Sequence, residues 1–441
     1  MIRILAILAL AAAATFAAML AFAFWPTSTR LIETGDTSSP AQIEAGRYAA
    51  IVGDCVACHT TPGGKPFAGG LPIASPIGAI YTTNITPDRT YGIGDYTLDE
   101  FDRAVRHGIA RNGDSLYPAM PYPSYARVSD TDICAMYAYF MHGVTPVAEP
   151  NKATIPWPLS IRWPVAFWRK LFAPKAAGPD LTVSGTAASQ VPSIARGAYL
   201  VEGLGHCGAC HSPRGMAFAE KGLTAADAAF LTGGAPMEGW VAKSLRDDGL
   251  DGWSEGDLVQ FLKTGRNADT AAFGGMTDVV RHSLQYLSDD DLTSIARYLR
   301  NLPLTKPGQA AFQPDPQIAQ ALWKGDESAR GARVYIDNCA ACHRTDAKGY
   351  TRFFPALGGN TVVRAEDSTS LISIVLNGNA LPGLRTAPSA ITMPPFGWRL
   401  SDQEVADVVS FIRTSWGNHA APITAADVTK LRRPPQENSK P

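Results

Sequence analysis

The chain has 441 residues, of which 46 % are hydrophobic and 18 % are charged. A chain of this length predicts about three domains, because one domain usually takes about 150 residues. Its 39 Lys and Arg residues are balanced by 40 Asp and Glu residues, so no nucleic-acid partner is expected. Seven Cys residues are too few for a disulfide scaffold of this size.

An uncharged apolar stretch runs from Ile4 to Trp25. As a helix it would cover about 33 Å, enough to cross the hydrocarbon core of a bilayer. The same stretch also fits a secretory signal, with Ala21, Phe22 and Ala23 forming an A-x-A-type cleavage site. Residues 1–30 are therefore predicted to be a signal sequence or a membrane anchor, and both alternatives export the rest of the chain.

Two proline-rich stretches divide the exported part, one near residues 145–192 and the other at residues 303–316. Repeated prolines interrupt helical and strand hydrogen bonding, so both stretches are predicted to be connectors or extended straps. We therefore predict domains at residues 40–145, 190–302 and 325–420, connectors at 146–189 and 303–324, and a polar tail at 421–441.

The three segments carry the same helix signals in the same order. Each opens with a glycine-containing helical pattern, continues with a middle helix that ends at a glycine, and closes with a helix capped by Ser-x-x-acid. The opening glycines are Gly46, Gly197 and Gly331, the helix-ending glycines are Gly108, Gly265 and Gly378, and the caps are Ser129, Ser288 and Ser401. No segment shows sustained alternation of period two. The predicted fold class is mainly α, with three tandem small domains after an N-terminal hydrophobic helix.

Six of the seven cysteines lie in three Cys-x-x-Cys-His pentads. Two thiols one helical turn apart can form thioether bonds to the two vinyl groups of a haem, and the adjacent His then ligates the iron. The predicted attachment residues are Cys55, Cys58, Cys207, Cys210, Cys339 and Cys342, and the predicted first axial ligands are His59, His211 and His343. The sequence therefore predicts three haem c groups, each in a small cytochrome c domain.

Other chemistries suit the pentads less well. A thioredoxin-type pair needs a βαβ setting and no following His, while zinc and iron–sulfur sites need four ligands from one locality. The seventh cysteine, Cys134, falls on the apolar face of a predicted closing helix and is expected to be a buried thiol.

The second axial ligand of an exported c-type haem is usually a methionine or a second histidine, and we expect a methionine at each iron. Met393 is the one Met after His343, and it lies before two prolines in what is predicted to be a rigid loop. The repeat transfers this position to Met120 and Met276. Two further groups are not expected to be ligands: Met136, Met141, Met216 and Met237, and His107, His142, His206 and His282.

Several strings of the chain are long and specific enough to show a family resemblance. They are residues 63–70 (GGKPFAGG), 84–88 (NITPD), 117–122 (YPAMPY), 201–206 (VEGLGH) and 212–214 (SPR). Over nearly the whole exported part, the chain resembles the three-haem cytochrome c subunit of bacterial membrane-bound dehydrogenases. Those enzymes include quinoprotein alcohol dehydrogenases and flavin-dependent gluconate, sorbitol and fructose dehydrogenases, and similar cytochromes serve molybdenum aldehyde dehydrogenases.

The resemblance implies an electron-transfer subunit at the periplasmic face of the bacterial inner membrane. It implies a catalytic partner of the quinoprotein, flavoprotein or molybdenum type, and ubiquinone or another redox carrier as acceptor. It also implies the ligand pairs His59 with Met120, His211 with Met276, and His343 with Met393. The chain departs from its relatives in its polar C-terminal end, which places more weight on the N-terminal helix as the membrane attachment.

Two alternatives to a dehydrogenase subunit remain at this point. The chain could be a stand-alone multihaem electron carrier, or a haem enzyme with an open iron position. Each pentad has a candidate Met, and no nucleotide-binding fingerprint or phosphate loop occurs, so catalysis by this chain alone is not expected.

The first connector contains an unusual concentration of aromatic residues. Trp157, Trp163 and Trp168 are interleaved there with Arg and Lys residues. Such a strap suits a membrane or protein interface, where amphipathic rings and long cations are enriched. The alternative is a linker packed against the haem domains.

Overall fold

The computed structural model describes residues 2–27, 32, 36–75, 77–152, 155–176, 191–237, 239–246, 249–305 and 312–432. Parts of the predicted segments lie outside the described residues: 1 and 28–30 of the N-terminal segment, 76 of the first domain, 153–154 and 177–189 of the first connector, 190, 238 and 247–248 of the second domain, 306–311 of the second connector, and 433–441 of the tail. The chain forms two compact units, residues 1–209 with 215–219 (unit 1) and residues 210–214 with 220–441 (unit 2).

The described residues are mainly helical, as predicted. The α-helices are, in chain order, α1 (Ile2–Phe24), α2 (Pro40–Val52), α3 (Cys55–Cys58), α4 (Leu98–His107), α5 (Tyr122–Tyr125), α6 (Asp130–Ala138), α7 (Trp163–Phe172), α8 (Ile194–Ala198), α9 (Gly208–His211), α10 (Glu255–Thr264), α11 (Gly275–His282), α12 (Asp289–Arg300), α13 (Gln317–Trp323), α14 (Ala332–Asn338), α15 (Ala340–His343), α16 (Thr361–Arg364), α17 (Thr369–Asn377), α18 (Asp402–Thr414) and α19 (Ala425–Leu431). Short π-helical turns at Tyr139–Gly143 and Tyr199–Leu204 extend α6 and α8. Short 3₁₀ turns occur at Met216–Phe218 and Leu284–Tyr286.

Two small antiparallel hairpins add strands that the sequence pattern did not reveal. Strands β1 (Pro72–Ser75) and β2 (Gly78–Tyr81) pair in unit 1, and β3 (Asn379–Leu381) and β4 (Ile391–Met393) pair in unit 2. Each strand has only three or four residues, which is too short for a period-two pattern to stand out.

The helix signals of the sequence are confirmed. The closing helices α6, α12 and α18 begin at serine caps whose hydroxyl oxygens accept hydrogen bonds from the backbone N–H of Asp132, Asp291 and Glu404. The middle helices α4, α10 and α17 end at glycines with φ between 63° and 70°. Residues with a side chain rarely adopt these positive φ values, which explains why glycine ends each helix.

In unit 1 the opening helix α2 packs directly against the closing helix α6. Gly46 of α2 meets the backbone of Ala135 so closely that a Cβ atom would overlap the Ala135 carbonyl oxygen. Beside this crossing, the Phe140 ring packs against the rings of Phe67 and Phe101, with centroids 5.3 and 6.0 Å away respectively. The buried Cys134 lies on α6, as expected.

Unit 2 repeats this arrangement around its last cysteine pentad. Gly331, immediately before α14, meets the backbone of Asp407 on α18, again without room for a Cβ atom. Tyr335 of α14 packs against Trp416 with ring centroids 4.9 Å apart. Helices α17 and α18 supply most of the remaining buried apolar side chains of this core.

The predicted connectors are not wholly extended. The first contains α7, whose second residue is Pro164, and the second contains α13, which begins after Pro316. A proline in the first turn of a helix is tolerated, because the N–H that it lacks has no intrahelical partner there. The first proline-rich stretch is therefore not extended throughout, whereas α13 lies beyond the second, which ends at residue 316. The role of both stretches as connectors and the three-domain division stay predictions.

One described helix, α1, is long and apolar enough to cross a membrane, and none of its most apolar window is buried in the protein. A cleaved signal sequence has the same length and composition. The last turns of α1 contact α7, where Phe16 meets Trp163 and Phe22 meets Phe167 with ring centroids 5.5 Å apart in both pairs.

We expect Gly46→Ala to destabilise the protein by about 1–3 kcal/mol, because α2 and α6 would have to separate to admit the methyl group. The measurement is thermal unfolding followed by circular dichroism. The matched control is Gly256→Ala, at an exposed position in the first turn of α10 with no heavy atom closer than 3.7 Å. That change should raise stability by up to about 1 kcal/mol through helix propensity. Equal effects of the two substitutions would contradict the close helix crossing.

Candidate haem-binding sites

All three Cys-x-x-Cys-His pentads adopt a short helical turn, in α3, α9 and α15. In the first, the His59 N–H donates to the Cys55 carbonyl oxygen at 3.0 Å, and in the third the His343 N–H donates to the Cys339 carbonyl oxygen at 2.9 Å. Residues three apart on a helical turn lie on one face, as a pair of thioether bonds to one porphyrin requires. The boundary between the two units falls inside the second pentad, after Ala209.

The imidazole of every pentad histidine is held by a backbone carbonyl. The three Nδ1 atoms lie 2.7, 2.6 and 2.8 Å from carbonyl oxygens, which belong to Thr83 for His59, Lys243 for His211 and Pro355 for His343. A carbonyl oxygen can only accept, so each Nδ1 must carry the proton and each Nε2 keeps its lone pair. A histidine that ligates a metal through one nitrogen usually donates from the other in this way.

Burial lowers the pKa of all three imidazoles below the usual histidine value, although the Nδ1 hydrogen bonds act in the opposite direction. The largest of these effects lowers the pKa of His211 to about 4. The three rings are therefore neutral near pH 7, which is the form that can ligate iron.

A second hydrogen bond fixes the main chain of each pentad histidine. The histidine carbonyl oxygen accepts from the N–H of a glycine in the left-handed conformation. The three bonds are Gly69 to His59 at 2.8 Å, Gly233 to His211 at 2.8 Å and Gly349 to His343 at 3.1 Å. The three glycines have φ values of 75°, 108° and 59°. Only glycine adopts this region without strain, which explains its presence at all three positions.

The same glycines adjoin the peptides that accept from Nδ1. A Cβ atom on Gly69 would lie 2.6 Å from the Thr83 carbonyl oxygen, and one on Gly349 would lie 2.6 Å from the Pro355 carbonyl oxygen. At Gly233 the space is wider, and the Lys243 carbonyl carbon is 4.0 Å away. We call this arrangement of histidine, left-handed glycine and carbonyl acceptor the histidine clamp.

A buried asparagine supports the clamp of the first pentad. Asn84 follows the acceptor Thr83, and its side-chain amide donates to the carbonyl oxygens of Val147 at 2.7 Å and Glu149 at 3.1 Å. Its amide oxygen accepts from the backbone N–H of Thr86 at 2.9 Å. The string at residues 84–88 that carries the family resemblance therefore has a structural role beside the candidate ligand.

The structure locates Met393 at the end of strand β4, where it pairs with Asn379. The prediction that Met393 lies in a loop is therefore wrong. Pro394 and Pro395, which follow Met393, do lie outside the strand. Met393 packs on the same buried core as Cys339 of the third pentad. Its role as an iron ligand stays a prediction.

The other two candidate methionines are also partly buried. Met276 is the second residue of α11 and packs on a small cluster formed by Ala272, Val280, Leu381, Leu384 and Ala387. Met120 lies in a turn in which its N–H donates to the Tyr117 carbonyl oxygen at 3.2 Å. Met216, by contrast, is 94 % exposed.

Two tyrosines beside Met120 fit a site that accepts a further group. Tyr117 and Tyr122 are buried, and their hydroxyl oxygens have no hydrogen-bond partner among the described residues. Buried polar atoms of this kind usually mark a ligand or water site. Within the described part of the chain, no three His, Cys, Asp or Glu side chains meet as a metal site.

Unit 1 also joins the first pentad to the start of the second. The Tyr125 hydroxyl donates to the carbonyl oxygen of Gly53 at 2.8 Å, and His206 Nε2 lies 3.3 Å from the same oxygen. The Tyr125 and His206 rings pack edge to face with centroids 5.5 Å apart. Gly53 precedes Cys55 and His206 precedes Cys207, so both attachment sequences meet at one buried carbonyl. Nothing in the sequence singled out Tyr125.

Comparison with known proteins identifies the class. The family profile named cytochrome c matches residues 328–416, which contain the third pentad and Met393. The gluconate 2-dehydrogenase cytochrome c subunit of Pantoea cypripedii is 60 % identical over 90 % of this chain and 91 % of its own length. The cytochrome c subunit of the quinone alcohol dehydrogenase of Komagataeibacter europaeus is 55 % identical over 92 % of this chain and 86 % of its own length. The fructose dehydrogenase cytochrome subunit of Gluconobacter japonicus is 37 % identical, again over 92 % of this chain and 86 % of its own length.

The pentads, the clamps and these matches define a c-type cytochrome. The chain belongs to the family of cytochrome c subunits of dehydrogenases, which confirms the resemblance found in its sequence. It is an electron-transfer subunit and not a catalyst by itself.

We expect Gly349→Ala to raise the reduction potential of one haem. The new methyl group would displace the Pro355 carbonyl and weaken its bond to His343 Nδ1, so the imidazole would donate less to ferric iron. A lost hydrogen bond of about 1 kcal/mol corresponds to a shift on the order of 40 mV for one electron.

The measurement is a spectroscopic redox titration, with Gly325→Ala as control. Gly325 has a comparable φ of 78° but no heavy atom within 4 Å of an added Cβ, so it tests backbone strain alone. Identical titration curves for parent and Gly349→Ala would show that the clamp does not tune the iron.

Proposed function

We propose that this chain carries electrons from a partner periplasmic dehydrogenase to ubiquinone or another component of the respiratory chain. The partner would oxidise an alcohol, a sugar, a sugar acid or an aldehyde, by quinoprotein, flavoprotein or molybdenum chemistry. The observation that carries the proposal is the threefold histidine clamp, which leaves three neutral imidazoles with a free Nε2 atom. The relatives, which are dehydrogenase subunits, favour this role over a stand-alone carrier.

The cofactor complement proposed is three haem c groups in three cytochrome domains with the predicted boundaries. Haem c supplies reversible one-electron chemistry at its iron when bound. Each pair of pentad cysteines would hold one haem covalently, and each pentad histidine would present Nε2 to its iron. The proposed second ligands are Met120, Met276 and Met393. This set leaves no iron position open, which argues against the haem-enzyme alternative.

Contacts in unit 1 support a relay. Tyr125 and His206 meet at the Gly53 carbonyl, so the attachment sequences of the first two haems are packed together with little intervening protein. The ideal Cβ position of Gly53 lies 3.5 Å from Cys55 Sγ and 3.6 Å from a methyl carbon of Leu204. A packing of this kind shortens the step between two redox groups.

The proposed location is the periplasmic face of the bacterial inner membrane, with α1 retained as the anchor. Support comes from the apolar length of α1 and from the aromatic contacts that join its last turns to α7. Ala23, at the end of the possible cleavage site, is buried against the protein. A segment that is removed after export has no need of such contacts.

The proposal is tested by isolating the full chain, with its partner, from native membranes. A pyridine haemochrome assay should give three haems per chain, two after combined Cys339→Ala and Cys342→Ala replacement, and three in the control Cys134→Ala. Adding the substrate of the co-purified dehydrogenase should reduce the haems, and a ubiquinone analogue should reoxidise them. Two or fewer haems in the parent, or haems that the substrate does not reduce, would overturn the proposal.

Replacing Met393 with His should lower the potential of one haem, because an imidazole stabilises ferric iron better than a thioether does. The redox titration should show that the reduction potentials of two haems are unchanged and that the third is lower. Met216→His, at a 94 % exposed position, is the control and should leave all three potentials unchanged. If Met393→His also leaves them unchanged, Met393 is not a ligand.

A further inference from the structure

The segment at residues 155–176, which we call the strap, exposes large apolar side chains next to α1. Trp157 is 80 % exposed, Leu159 53 % and Leu171 52 %, and Ile161 and Phe172 are also exposed. Trp163 and Trp168 are packed inward instead. The indole N–H of Trp168 donates to the Ala217 carbonyl oxygen at 2.6 Å. The sequence allowed two interpretations of this segment, a packed linker or an interface. The strap combines both, because one side packs against the protein and the other presents an apolar surface.

Helix α7 of the strap follows the C-terminal third of α1 in the same direction. Trp163 contacts Phe16, Phe167 contacts Phe22, and Lys170 Nζ donates to the Trp25 carbonyl oxygen. Phe16 precedes the end of α1 by about two turns, or roughly 12 Å of helix. If α1 crosses the roughly 30 Å of hydrocarbon, Phe16 lies within the lipid and the beginning of α7 lies beside it.

A buried arginine prevents the strap from moving independently of the rest of unit 1. Arg169 donates from Nε to Ser115 Oγ at 3.0 Å, from Nη1 to the His107 carbonyl oxygen at 3.4 Å, and from Nη2 to Thr27 Oγ1 at 3.3 Å. Its guanidinium thus ties α7 both to the segment that follows α4 and to the residues that follow α1. The position of the apolar surface relative to the membrane helix is therefore fixed.

We propose that the strap is seated in the periplasmic leaflet of the bilayer beside α1. The exposed side chains of Trp157, Leu159 and Ile161 would contact acyl chains, and Lys170 and Lys175 would reach the lipid phosphates. Tryptophan rings and long cations are the side chains that favour this boundary. The proposal rests on the membrane location given above and goes beyond it, because it adds a second contact with lipid and positions the first cytochrome domain at the bilayer.

The test uses the full haem-loaded chain, without partner, in vesicles of phosphatidylethanolamine and phosphatidylglycerol. Leu159→Cys and the matched control Leu304→Cys, whose leucine is 64 % exposed, are labelled with a charged, water-soluble maleimide. We expect the cysteine at position 159 to react at least tenfold more slowly than that at position 304, and the two to react equally in denaturant. The parent chain gives the background, since Cys134 is buried and the other six cysteines would be thioethers.

Equal labelling rates in the vesicles would overturn the proposal. So would labelling at position 159 that is fast in vesicles and slow only when the dehydrogenase is bound, because the surface would then be a protein interface. Substrate-driven haem reduction of the same variants, measured in the complex, separates a failure of this proposal from a failure of the proposed function.

Discussion

The hydrogen bond from each pentad imidazole to a backbone carbonyl is the constraint on which the candidate sites depend. It sets the proton on Nδ1, orients the ring and leaves Nε2 for iron, and it does so with a peptide group that cannot titrate. The left-handed glycine holds the other end of the same histidine. Helix crossings such as that of Gly46 with Ala135 then fix the core beside the clamp.

The features that could be predicted from the sequence are those that require particular residue types. Cysteine spacing located the three pentads, and caps such as Ser401 located the closing helices, because both depend on the chemistry of particular side chains. The clamp could not be predicted in the same way. Its acceptors are main-chain carbonyls, of Thr83 for example, and any residue can supply one. The short hairpin that carries Met393 was missed because too few residues carry its signal. Helix α7 was missed because the prolines around it favoured an extended chain, although a proline in the first turn is compatible with a helix.

In unit 1, the first haem-attachment sequence and the proposed membrane attachment are joined by one continuous set of contacts. Arg169 reaches Ser115 and the end of α4 on one side and Thr27 on the other. Tyr125 and His206 then connect the first pentad to the beginning of the second. Lipid contact, haem attachment and the path toward the next haem would thus share a single rigid frame in the proposed function.

The three clamps close loops of very different length. The acceptor follows its histidine by 24 residues at the first pentad, 32 at the second and 12 at the third, yet the bond length is nearly the same. Each loop is held at its two ends and at its clamp glycine, so the stretches between these points can gain or lose residues without disturbing the imidazole. Closing a longer loop costs little, about 0.6 kcal/mol for each doubling. Such loops are therefore where the three proposed cytochrome domains can diverge, each acquiring its own solvent exposure and neighbours while the histidine geometry is retained.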